Sequence, residues 1–248
     1  MRIFLMSTLT LGLASAIPLG SGADATPVTL DASADIYNAS GPIVYPGESP
    51  FYVDVTGIAS FTFSVPTGSV ASLNSGRNLN DADGVGSEGA DSFNTGGNGI
   101  SGLTAPNDGF LTGVFLGKTP TSVQPAALNF LTTGTSFTSL SPLLQQSFFI
   151  GDGLTGDGTG TTQTFYVPAG ATALYLGISD ACSYHGPPSC YSDNSGSFSL
   201  DVAKNLAVGP PSAVPEPMTW AMMIGGLGMT GGVLRRKRRA SVRKFEFA

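Results

Sequence analysis

The chain has 248 residues, 34 of them glycine and 17 proline, with 11% charged residues and a formal net charge of −6. That charge is unevenly placed: seven of the eleven Lys and Arg residues follow Leu234, so Thr26 to Ser212 carries Arg77, Lys118 and Lys204 against fourteen Asp and Glu, a net of −11. So acidic a surface excludes nucleic acid as a partner and suits divalent cations, and the roughly 185 residues between the termini suffice for one well-buried core but not for two.

Residues 1–25 read as a secretory signal peptide: Arg2 supplies the positive start, Ile3 to Leu19 is apolar or small, and Ala23-Asp24-Ala25 is a small-x-small cleavage pattern that puts the mature N-terminus at Thr26. From Val28 to Val202, apolar residues alternate at period two between clusters of Gly, Pro, Ser, Thr and Asn, the pattern of antiparallel β structure. The clearest strands are Phe51 to Val55, Phe61 to Val65, Leu111 to Leu116, Thr164 to Val167, Ala173 to Ile178 and Ser197 to Val202; weaker ones are Val28 to Leu30, Ile43 to Tyr45 and Ser147 to Ile150. Ser141 to Gln146 offers one helical turn. So many strands with no long helix predict an all-β domain over 26–203, an antiparallel, jelly-roll-like β-sandwich. Two Gly-rich stretches fall outside the pattern. Asp81 to Asp108 reads as a long surface loop, and Gly151 to Gly160 as a flexible hairpin loop whose Asp-Gly pairs only hint at a calcium-binding repeat.

Cys182 and Cys190 are the only cysteines, and in an exported chain they predict a disulfide that fixes one short loop; with His185 alone beside them, they cannot complete a zinc site. If the strands on either side of this loop adjoin, Asp180 leaves one as Asp193 and Asn194 enter the other, and their side-chain oxygens converge. With almost no basic residues to neutralise them, they suit calcium, which accepts carboxylate, amide and backbone carbonyl oxygens. Asp and Asn beside strands also serve as plain turn formers. No GxSxG motif, no nucleophile tied by spacing to the sole His and no carboxylate pair of inferable separation is present, so an enzyme is not expected.

The run Cys190-Tyr191-Ser192-Asp193-Asn194-Ser195-Gly196-Ser197-Phe198-Ser199-Leu200, preceded by Asp180, resembles the calcium-dependent galactose-binding bacterial lectins, a β-sandwich family, and Gly57-Ile58-Ala59-Ser60-Phe61 is similar to a second segment of that family. The resemblance implies calcium ligands at Asp180, Asp193 and Asn194, at the carbonyl of Cys190 and at the carbonyl of Phe61. It also implies that Asp180, Asp193 and Asn194 take part in binding galactose-like units of an exopolysaccharide. The loop here is longer, Asp193 replaces an amide, and the family's sugar-contacting His and Gln have no counterpart; Tyr184 and His185 at the loop tip read as ordinary exposed residues.

A Gly-Pro linker over 204–213 leads to Pro215-Glu216-Pro217, Trp220, an apolar Gly-rich span at 218–234 and the cluster Arg235-Arg236-Lys237-Arg238-Arg239. Seventeen residues make about 25 Å of helix, a short single transmembrane segment with an interfacial Trp and cytoplasmic cations. This order resembles the PEP-CTERM sorting signal, also described as an ice-binding-protein C-terminal domain, here covering 214–239 with a cytoplasmic tail at 240–248. The resemblance implies export, transient anchoring in the inner membrane, processing near Pro215-Glu216-Pro217 by an exosortase, and delivery to the cell surface or extracellular matrix. The two functions in view are a lectin-like, calcium-dependent carbohydrate-binding protein and a non-binding structural protein of the envelope or biofilm matrix.

Overall fold

The computed structural model describes residues 24–72, 80–84, 92–182 and 185–207. Of the stretch read as a signal peptide, residues 1–23 lie outside them, as do Tyr184, the part of the expected linker from residue 208 and the stretch read as a sorting signal with its span 218–234. Residues 204–206 of the expected linker belong instead to a strand. No helix among the described residues is long and apolar enough to cross a membrane.

The protein is all-β. In chain order its strands are β1 (Asp24–Asp31), β2 (Phe51–Asp54), β3 (Ile58–Phe63), β4 (Thr67–Ser72), β5 (Ser92–Gly97), β6 (Ile100–Ala105), β7 (Leu111–Gly117) and β8 (Leu128–Asn129). There follow β9 (Ser139–Leu140), β10 (Ser147–Phe149), β11 (Leu154–Gly156), β12 (Thr159–Thr162), β13 (Thr164–Tyr166), β14 (Ala171–Ile178), β15 (His185–Gly186) and β16 (Asn194–Leu206). Among the described residues one short α-helix, α1 (Phe130–Thr133), starts where the Asn129 side chain accepts from Leu131 N and Thr132 N. The helical turn expected at Ser141 to Gln146 is not helical, and Ile43 to Tyr45 is not a strand.

β16 organises the larger sheet. Of its 13 residues, Ser197 to Lys204 pair with β1 along one edge; along the other, the first part pairs with β4 and the last part with β3. The sheet continues through β13 to β9, and a four-stranded sheet runs β10-β7-β14-β2. Phenylalanines close the space between the two sheets: Phe148 stacks on Phe115 at 5.3 Å and on Phe165 at 5.5 Å, and Phe63 meets Phe165 edge-on at 5.3 Å. Both sheets thus share one core, to which Phe61, Phe63, Phe198 and Leu200 come from one side and Leu111, Phe115, Leu174 and Ile178 from the other.

Within the stretch read as a surface loop, residues 92–105 form instead part of a third layer. β5 and β6 form a hairpin joined by short parallel pairings to β15 and β8, so the fold is not purely antiparallel. All of β6 is buried. Its Ile100 packs with Val114 and Leu116 on the outer face of β7, whose opposite face feeds the main core. Glycine-rich strands carry little propensity, and burial against a neighbouring sheet supplies the stabilisation that composition lacks.

The irregular segment between β7 and β10 is held by buried glutamines. Gln146 donates to Ala126 O at 2.7 Å and accepts from Leu143 N at 2.9 Å; Gln163 donates to Thr135 O at 2.7 Å and Phe137 O at 2.8 Å. Such side chains satisfy backbone groups that no strand partner reaches.

Candidate functional site

β14 ends at Ile178 in the four-stranded sheet, and β16 begins at Asn194 in the six-stranded one. The two strands do not adjoin; they belong to different sheets, and Asp180 meets Asn194 across them, accepting a hydrogen bond from its amide. Asp193 stands near enough for its charge to act on Asp180. Cys182 and Cys190 form the expected disulfide, with Cα atoms 5.2 Å apart. Cys190 adopts the left-handed conformation at φ 68°, and its carbonyl accepts from Asp193 N at 3.2 Å, turning Tyr191–Asp193 into one 3-10 turn. One lone pair of that carbonyl remains for a further partner. Replacing both cysteines by serine is expected to cost about 2.5 kcal/mol, the loop-closure entropy of so short a ring, read as a lower urea midpoint.

Phe61 does not reach this place. It pairs with Phe165 on one side and Lys204 on the other, and Lys204 is ten residues from Asn194 along β16, roughly 30 Å at the rise of a strand. The residue opposite Asn194 is Ser72, because β4 and not β3 takes the first half of β16.

The phenol of Tyr191, fully buried, lies at the centre. It accepts from Asp180 N at 2.9 Å and gives its single proton to Ile178 O at 3.1 Å. Asp35, which sequence reasoning missed, lies beside it. Asp35 is 0% exposed and Asp180 4%. Asp35 Oδ1 accepts from Tyr37 N at 2.8 Å, whereas its Oδ2, like Asn194 Oδ1, is buried with no donor. Burial pushes the Asp35 carboxyl up to about 7 against the pull of the Tyr37 hydrogen bond and of the neighbouring Tyr191 hydroxyl, and the Asp180 charge adds to the rise. Burial likewise raises Asp180; hydrogen bonds from Asn194 and Ala181 N oppose it, and the Asp193 charge reinforces it. No basic side chain contributes to either shift. The available sequence signal was an acid inside the small and apolar run Ala32-Ser33-Ala34-Asp35-Ile36.

A second acidic cluster joins the two stretches read as loops. Asp81, Asp83 and Asp157 offer oxygens that all lie within 4.8 Å of one another, the one such triple of acidic, His or Cys side chains among the described residues. Asp35, Asp180 and Asp193 are therefore more widely spread. Asp152 organises the second cluster: its N donates to Asp83 Oδ1 at 2.9 Å, and its carboxylate accepts from Leu154 N at 2.7 Å and Gly158 N at 2.8 Å. Gly151, at φ 61°, lets Asp83 approach, because an added Cβ would collide with the carboxylate. Burial raises Asp83 to about 6, with the charges of Asp152, Asp81 and Asp157 adding to it.

Fold and sites together define an all-β domain with one disulfide and two acidic, cation-poor clusters. Comparison with known proteins finds no matching family model, no matching curated protein and no matching solved structure.

Proposed function

We propose that this is an exported protein of the cell surface or extracellular matrix, built on a jelly-roll-like β-sandwich that binds calcium and, through it, carbohydrate. The observation that carries the reading is the pair of buried oxygens without donors, Asp35 Oδ2 and Asn194 Oδ1, beside Asp180 and Asp193 in a domain of net charge −11. Buried carboxylates and an idle amide oxygen are compatible with one another when a hard cation supplies the missing positive charge. Asp180, Asp193, Asn194 and the Cys190 carbonyl would hold the ion, with Asp35 neutralised behind them. Bound calcium supplies a point of positive charge that sugar hydroxyls can join, and the half-buried Asp193 and Asn194 stand on the side open to such a ligand. The sorting signal, with exosortase as processing partner and the inner membrane as transient anchor, sets the location; no enzymatic activity and no nucleic acid enter the reading.

A second reading is a structural protein of the envelope or biofilm matrix. It is favoured by the near-complete burial of Asp35 and Asp180, which suits a group that staples the fold more than one that meets a glycan.

Calorimetric titration of calcium into the chelator-stripped chain tests the site. Saturable binding is expected in the wild type, with the site lost in Asp180→Asn/Asp193→Asn; an Asp81→Asn/Asp83→Asn variant separates any contribution of the second cluster. An isotherm unchanged by the first pair rejects the site. A component of binding to a galactose-bearing matrix that is lost both on chelation and in Asp180→Asn/Asp193→Asn separates the lectin-like reading from the structural one.

A further inference from the structure

A cleft of about 620 Å³ opens in the third layer, with no carboxylate among its lining residues. Its floor is the β5–β6 turn at Gly97, Asn98 and Gly99; one wall includes Pro42 and Tyr45, and the other Pro120, Thr121, Ser122 and Gln124. The size falls within the range of small-molecule sites.

Both walls are clamped in the same way. Asn98 accepts from Ile43 N at 3.1 Å and donates to Ile43 O at 2.6 Å, and also to Tyr37 O at 3.0 Å. Gln145 accepts from Thr121 N at 2.8 Å and donates to Thr121 O at 2.7 Å and Gly99 O at 2.8 Å. Each amide side chain thus takes both backbone groups of one wall residue, as a neighbouring strand would. Asn98 at φ 54° and Gly99 at φ 78° form the two-residue turn between Gly97 and Ile100, the Asn-Gly pair such hairpins favour. Gln145, at φ 63°, has no turn preference to explain it; such a conformation costs on the order of 1–3 kcal/mol and persists where the surroundings over-determine it. Gly99 completes the clamp, since an added Cβ would strike Thr121 O. The cleft is held open before any ligand arrives, which removes an ordering cost from binding.

The chemistry of the lining selects the ligand. In a domain of net charge −11 the lining holds no Asp, Glu, Lys, Arg or His. Pro42, Pro120 and the Tyr45 ring supply flat apolar surface, and Thr121, Ser122 and Gln124 supply hydroxyls and an amide that both donate and accept. A sugar ring has the complementary form, with an apolar C–H face and a rim of hydroxyls. We infer that this cleft binds a neutral saccharide without calcium, at a site separate from the acidic loop of Asp180 and Asp193.

The test uses the full-length chain on an immobilised panel of neutral hexose oligosaccharides and uronate-bearing ones, with calcium and with chelator. Ser122 and Gln124 are exposed, so Ser122→Trp and Gln124→Trp fill the cleft without burdening the core, and matched melting curves establish that both fold. Neutral oligosaccharides are expected to bind in chelator, equally in Asp180→Asn/Asp193→Asn, and at least tenfold more weakly in either Trp variant. Preference for uronates, no neutral binding in chelator, or unchanged binding in both Trp variants would overturn the inference. Binding that disappears with chelator and survives both Trp substitutions assigns the sugar to the calcium loop; the reverse pattern keeps the cleft and removes calcium from carbohydrate recognition.

Discussion

Stripped of calcium, the chain is expected to lose stability steadily as pH rises from about 4 to about 7. Asp35 titrates near 3.8 when unfolded and at about 7 when folded, so between these values the native state holds a proton that the unfolded chain has released. The stabilisation is complete below the unfolded pKa and is lost as pH rises through the folded one. A shift of some three pH units corresponds to about 4 kcal/mol, or roughly 10 °C in melting temperature for a domain of this size. Asp180 acts in the same direction, as its burial also favours the protonated form. Asp35→Asn keeps the shape and removes the ionisation, so its melting temperature should vary with pH much less than that of the wild type. Calcium should flatten or invert the wild-type slope, because the ion requires the deprotonated ligands that burial otherwise penalises. Equal melting temperatures at about pH 4 and about pH 7 in chelator would show that these carboxyls are not held as described.

Tyr191→Phe is the second large effect, and it joins fold to site. The lost hydroxyl leaves Asp180 N without its acceptor and Ile178 O without its donor, both at a buried strand end. Unsatisfied buried groups cost about 1–3 kcal/mol each, so a destabilisation of about 3 kcal/mol is expected by urea unfolding. Because the phenol holds the backbone of Asp180, calcium affinity should fall roughly 10- to 100-fold, as it does when a group orienting a ligand is removed. Destabilisation without a change in affinity would confine Tyr191 to the fold.

Much of the β framework was legible because alternation reports one buried face per strand. Phe51 to Asp54 and Phe198 to Val202 present that pattern, and each lies in a strand; Leu111 to Leu116 and Ala173 to Ile178 are strands too, but buried largely on both faces between layers. β5 and β6 were not legible. Ser92 to Ala105 contains Gly96, Gly97, Gly99 and Gly102, and its strand character comes from the neighbouring layer. The same limit applies to the sites. Spacing could propose Asp180 with Asp193 and Asn194, which are linked by one short loop, but it placed Phe61 among them by motif likeness, and only the register of β16 shows Phe61 to stand near Lys204.

What the sequence determined by itself is what local chemistry dictates: an all-β chain, many of the strand positions, a disulfide between its only two cysteines, and an acidic domain. The tertiary structure alone decided which distant residues meet. Asp35 comes to Asp180 from 145 positions away, Asp83 to Asp152 from 69, and Asn98 and Gln145 clamp two walls of one cleft. Such meetings depend on sheet order and strand register, which arise from burying whole faces together, and no short-range pattern encodes them.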